Sequence, residues 1–142
     1  MRLNYELFEA TEEDLEMIKE AEKEIKEVES REFIGNVGTI REAIKSKEIK
    51  IVTVKNEKIG FLWAKPNFSI PYFENVFFVK LTYLKKDYRK YFYPFILQAI
   101  KDYAKASGYT EVYGDVFHSN EEALKVHSKL AEPIFTIYRA KI

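Results

Sequence analysis

The chain has 142 residues, 46% of them hydrophobic and 15% aromatic, enough for a single domain over residues 1–142 whose core needs no disulfide or metal to brace it. Lys plus Arg and Asp plus Glu both number 23, so the zero net charge argues against nucleic acid or an anionic membrane as an obligatory partner. The absence of cysteine excludes disulfides and thiol catalysis, and two histidines argue against a structural zinc site, so no metal is expected.

The first ten residues, MRLNYELFEA, are charged and alternating, unlike the apolar core of a signal peptide, and no apolar run approaches the length of a membrane span. A soluble cytoplasmic protein is the expectation. Abundant Lys, Glu and Ile with a single glutamine, Gln98, suit a thermophile.

Leu3, Tyr5 and Leu7 alternate with polar residues and predict a first strand. Thr11, with Asp14 three residues on, predicts a capped helix start, and Leu15, Ile18, Ala21, Ile25 and Val28 give that helix one apolar face. Ser30 to Lys47 reads as a break and a second helix. IKIVTVK and KIGFLWAK flank Asn56 and Glu57 as a hairpin, and Gly60 inside the second strand predicts a bulge or a close backbone approach. PNFSIPYFEN, with Pro66 and Pro71, reads as a loop before a fourth strand, VFFVKLTYL.

A basic, aromatic loop follows, KKDYRKYFY. Pro94 suits the first position of a helix whose buried side is Phe95, Leu97, Ile100, Tyr103 and Ala104, and Gly108 stops it. TEVYGDVFH reads as a fifth strand, Asn120 or Ser119 as the cap of a helix ending near Leu130, and IFTIYRAKI as a last strand. The order is β-α-α-β-β-β-α-β-α-β, an α/β (α+β) domain. The central strand, crossover helix and strand imply one parallel pair in a mostly antiparallel sheet.

That order, with a strand-loop-helix at its centre, resembles the GNAT superfamily of N-acetyltransferases along essentially the whole chain. In that family a motif [Q/R]-x-x-G-x-[G/A] opens the central helix. Here Arg89 stands at its first position, while Phe92 and Pro94 occupy the glycine positions. A second segment, GDVFHSNEEALKVHSKL, is similar to the family's late helix: Asn120 and Ala123 match, His127 takes a tyrosine position, and Asp115 precedes Asn120 by five residues, where one branch carries a Glu.

The resemblance implies transfer of an acetyl group from acetyl-CoA to a primary amine, such as a protein N-terminus, a lysine or a small amine, by direct attack. Pantetheine would lie between the splayed central strands, against Thr82, Tyr83 and Leu84, acting mainly through backbone groups. Arg89, Lys90, Tyr91, Phe92, Tyr93, Pro94 and Phe95 would line the pyrophosphate cradle, with Asn120 capping the helix beside the cofactor. Phe92 adds bulk where glycine permits close approach and Pro94 lacks an N–H, so Lys85, Lys86, Arg89 and Lys90 would supply charge in place of backbone dipoles. Asp115 would take the amine proton through water, and His127 would donate to the departing thiolate. Each residue also has a plainer reading: a strand-end carboxylate paired with a lysine, a packed helix histidine, a solvated basic loop. The competing functions are a GNAT-like binding or assembly module without catalysis and, through the cations and aromatics of KKDYRKYFY, a single-stranded nucleic-acid binder. A homodimer is allowed for, and the acceptor is not readable.

Overall fold

A computed structural model describes residues 4–29, 37–91, 93–116 and 120–142. Its elements are β1 (Glu6–Glu9), α1 (Leu15–Glu29), α2 (Val37–Lys45), β2 (Ile49–Val54), β3 (Glu57–Ile70), β4 (Phe73–Leu84), α3 (Gln98–Ala106), β5 (Tyr113–Gly114) and α4 (Glu121–Leu130). The strands form one sheet in the order β1-β2-β3-β4-β5, antiparallel except for β4 with β5, which run parallel. The parallel pair is the one that the crossover through α3 requires.

Strand alternation sorts the core into two layers. Ile49, Ile51, Phe61, Trp63 and Leu81 face Leu15, Ile18 and Ala21 of α1 and Ile40 and Ala43 of α2. On the other face Val52, Leu62 and Leu84 meet Ile96 and Ala99, while Ala64 and Phe77 meet Tyr103 and Ala104 of α3. Tyr103 also donates its hydroxyl to the Glu48 carbonyl at 3.0 Å. Burial, then the charges of Glu48 and Glu9, push its phenol up to about 12.

The element ends follow from local chemistry. The Thr11 N–H donates to Asp14 Oδ2 at 2.8 Å and the Asp14 N–H to the Thr11 carbonyl at 2.9 Å, satisfying donors that a helix start leaves free. Asp14 is buried and also accepts from Lys58 Nζ at 2.7 Å, which answers the cost of a dry carboxylate. Gly108 takes φ of 88° just past α3 and returns its N–H to the Lys105 carbonyl at 3.0 Å. Asn120 caps α4, its Oδ1 accepting from the Ala123 N–H at 3.2 Å.

Several expectations are corrected. The stretch expected as a loop at residues 66–75 is mostly strand: β3 and β4 extend through it as a long hairpin that turns at Pro71 and Tyr72. The β2 to β3 turn is Lys55 and Asn56, both at positive φ, one residue earlier than Asn56 and Glu57. Pro94 lies inside a π-helical turn, Tyr93–Leu97, ahead of α3 rather than opening an α-helix. The fifth strand is two residues long, and residues 132–142, including IFTIYRAKI, join no strand. Extended propensity alone does not make a strand, and so short a β5 offers little ladder to pair with. Leu3, residues 30–36 at the start of the second predicted helix, Phe92, His118 and Ser119 lie outside the described residues.

Candidate active site

The site is built on β4. Its ladder with β5 consists of Phe78 with Tyr113 and Val79 with Gly114. Beyond that point Thr82, Tyr83 and Leu84 continue to pair with Leu62, Phe61 and Gly60 of β3 and, among the described residues, have no partner on the β5 side. Among the described residues the two parallel strands therefore part at Val79, and that edge of β4 has no described partner. Backbone groups on an unpaired edge must find other partners, and an extended chain carrying amides is a natural one.

Two irregularities shape this strand. Trp63 pairs with Leu81 while Ala64 pairs with Val79, so Lys80 is the extra residue of a β-bulge at the point where the strands part. The bulge brings the Lys80 ammonium over the Trp63 ring, 4.8 Å from its centroid, on the same side as Leu81. Lower down, Gly60 lets β3 approach Tyr83 and Leu84 closely: a Cβ at Gly60 would lie 2.0 Å from the Tyr83 carbonyl oxygen.

The strand runs into a 3-10 turn, Lys86–Tyr91, and then the π-helical turn before α3. Arg89 is held on the α1 side. Its Nε donates to the Leu84 carbonyl at 3.0 Å, its guanidinium pairs with Glu24 of α1 at 2.5 Å, and it stacks over the Tyr83 ring at 5.6 Å. Tyr83 donates to the same Glu24 carboxylate at 3.3 Å. Burial first, then the Glu24 charge, holds the Tyr83 phenol above its ordinary range, with Arg89 opposing. Lys85, Lys86 and Lys90 are exposed on the loop, whereas Phe95 is buried and packs edge-on against Tyr5.

The structure thus brings Thr82, Tyr83, Leu84 and Arg89 together, and turns Phe95 into the core. The backbones of Tyr91, Tyr93 and Pro94 belong to the two turns before α3. Asp115 is exposed one residue past β5. His127 is exposed on α4, which buries no residue, rather than packed; its Nδ1 meets the Ala123 carbonyl at 2.6 Å. With Nδ1 donating there, Nε2 is the atom left for chemistry. Glu24 and Lys80 are the residues that sequence reasoning missed. Glu24 carries no signal among the solvated charges of α1, but a lysine inside the apolar run VFFVKLTYL does. Among the described residues no cluster of His, Asp or Glu is placed to hold a metal ion, and no helix is long and apolar enough to cross a membrane.

No family model and no curated protein sequence matches the chain. Solved structures do. A possible acetyltransferase from Clostridium difficile 630 superposes with a TM-score of 0.67 at 18% identity, over 97% of this chain and 97% of that one. AAC(6')-Iy, in complex with the bisubstrate analogue CoA-S-monomethyl-acetylneamine, gives 0.66 at 16% identity over 98% and 99%. Ard1 from Thermoplasma volcanium gives 0.67 at 16% identity over 93% and 84%. Likeness across the length of each chain, with the parallel pair of β4 and β5, shows that this chain has the fold of GNAT acetyltransferases.

Proposed function

We propose that the protein is an acetyl-CoA-dependent N-acetyltransferase acting on a primary amine. The observation that carries this reading is the edge of β4 over Thr82, Tyr83 and Leu84, which pairs with no strand on the β5 side among the described residues, beside the parting of β4 and β5 and leading directly into a basic loop. That AAC(6')-Iy is known in complex with a CoA-containing bisubstrate analogue supports it.

Acetyl-CoA supplies an acetyl group already activated as a thioester. The chain contributes position and protons. Backbone groups of Thr82 and Tyr83 that face away from β3 suit the amides of the pantetheine arm, the Leu84 carbonyl being taken by Arg89. Lys85, Lys86 and Lys90 offer the phosphates side-chain charge in a loop whose sequence has no glycine to build a backbone nest. Asp115 accepts the proton of the attacking ammonium through water, and His127 Nε2, as imidazolium, returns one to the departing sulfur. The amine nitrogen forms the new C–N bond as the C–S bond breaks.

Calorimetry with acetyl-CoA at two ionic strengths tests the reading. Binding is expected, weakening as salt rises because side-chain cations carry the phosphates; no heat at millimolar ligand would sink it. A binding module without catalysis is the competing reading, favoured by the commitment of Arg89 to Glu24. Acetyl-CoA binding without turnover on any amine would select it.

A further inference from the structure

The α1 side of the sheet carries a second feature at the parting of the strands. Lys80 of β4 lies over Trp63, and Lys65 of β3 lies over the Phe68 ring, 5.9 Å from its centroid. Phe68 in turn packs on Phe78 at 5.1 Å, so the two ammonium groups stand on an aromatic floor built by adjacent strands. Among the described residues neither ammonium group makes a hydrogen bond or ion pair. The nearby carboxylate is Glu48, and its Oε1 accepts from Trp63 Nε1 at 3.2 Å. Burial, then repulsion from Lys65, lowers the Lys80 pKa against the pull of Glu48. Two half-buried cations that repel each other are relieved by an anion between them.

We infer that Lys80 and Lys65 form an anion subsite for the acceptor, so that the amine acylated here carries a carboxylate. The inference rests on the transferase reading above, in which the acyl end of the thioester points toward the place where β4 and β5 part; the bulge puts Lys80 there. Lys80 is then a specificity-determining residue. It favours an amine with an acidic group and repels polycationic amines.

The test uses three dipeptide amides differing in one side chain, Gly-Glu, Gly-Gln and Gly-Lys. Acetylation is followed with acetyl-CoA, and binding is followed separately by the fluorescence of Trp63, the single tryptophan of the chain. Gly-Glu should exceed Gly-Gln in kcat/KM by roughly 10- to 100-fold, the range of one charge-assisted hydrogen bond, and the gain should lie in KM. Lys80→Met should collapse that ratio, Lys80→Arg should keep most of it, and Lys65→Met should reduce it less. Equal rates for Gly-Glu and Gly-Gln, or a preference that survives Lys80→Met, would overturn the inference while leaving acetyl-CoA binding intact. If acetyl-CoA does not bind, the transferase reading fails, and the fluorescence titration decides the subsite by itself: Gly-Glu must bind more tightly than Gly-Gln, and only with Lys80 present.

Discussion

Replacing Gly60 with Ala probes the geometry on which the site depends. The new methyl would meet the Tyr83 carbonyl oxygen at 2.0 Å, the Tyr83 carbonyl carbon at 2.9 Å and Leu84 Cα at 3.0 Å, all of them backbone atoms that no rotamer change can move. Ordinary contact starts at 3.4 Å, so β3 and β4 must separate locally by about 1.4 Å. Paired strands are set about 4.8 Å apart by hydrogen bonds of about 2.9 Å, and that separation takes the local bonds out of range. Overpacking of about 1 to 3 kcal/mol, with two ladder bonds of about 0.5 to 1.5 kcal/mol each, gives a loss of roughly 2 to 6 kcal/mol. Urea unfolding read by Trp63 fluorescence measures it, and acetyl-CoA affinity in the folded fraction should fall too, because the displaced residues are Tyr83 and Leu84. Gly114→Ala is the control. Its Cβ would lie 3.6 Å from the Val79 carbonyl oxygen, an ordinary contact, and its cost should stay within about 0.5 kcal/mol. A Gly60→Ala protein as stable as the parent, or a Gly114→Ala protein equally damaged, would refute the argument.

Lys58→Met removes the lysine partner of buried Asp14; because Lys58 is 40% exposed, the loss should be nearer 1 to 2 kcal/mol, on an order-of-magnitude scale, than the full cost of breaking a buried pair. The Asp14 hydrogen bond, then its charge with that of Glu13, raise the Lys58 pKa above its ordinary 10.5, so this stabilisation is fully present below pH 10.5 and disappears as pH rises through the folded value. Unfolding of parent and variant at pH 7 and above pH 11 should show the gap closing. Glu24→Ala frees Arg89 to turn toward an anion and should tighten acetyl-CoA binding, by no more than about 5-fold for an exposed pair; weaker binding by calorimetry would mean that Glu24 holds Arg89 in its working position. His127→Phe should lower turnover with acetyl-CoA affinity nearly unchanged, since only an interaction made during thiolate departure is lost; full turnover on an identified acceptor would make His127 a mere surface residue.

The parts of the fold that could be read from sequence are those whose cause is local. Thr11 with Asp14, Gly108 after α3 and Asn120 before α4 each satisfy helix-end groups from within a few residues, and each is found in place. Gly60 was readable as a close approach because only the missing Cβ allows one, although its partner residues were not. The stretch at 66–75 misled because proline and asparagine are normally loop signals. Here Asn67 and Asn75 take φ of 52° and 53° and Pro66 falls in a register gap between Lys65 and Phe68, so these residues mark irregularities inside a long hairpin. IFTIYRAKI misled for the opposite reason. Its alternation is intrinsic, whereas a strand exists only against a partner, and the neighbouring ladder is two residues long.

The placement of the candidate site in the fold was legible, and the arrangement of its charges was not. That VFFVKLTYL runs beside a parallel partner and feeds a basic loop follows from element order. Which cations lie where β4 and β5 part does not, because it depends on one bulge. In a regular strand Lys80 and Leu81 would point to opposite faces; the extra residue between Val79 and Leu81 places both on the Trp63 side. Arg89 shows the same limit from the loop. Its motif position implies a phosphate ligand, yet Glu24, 65 residues away in the chain, takes its guanidinium to the α1 side. The cations of the α1 side then divide by their partners. Arg89 is neutralised by Glu24, while Lys80 and Lys65 have aromatic rings beneath them and no described ion pair. On the proposed reading, acceptors would be discriminated by charge at Lys80 and Lys65, with the cofactor left to the edge of β4 at Thr82 to Leu84.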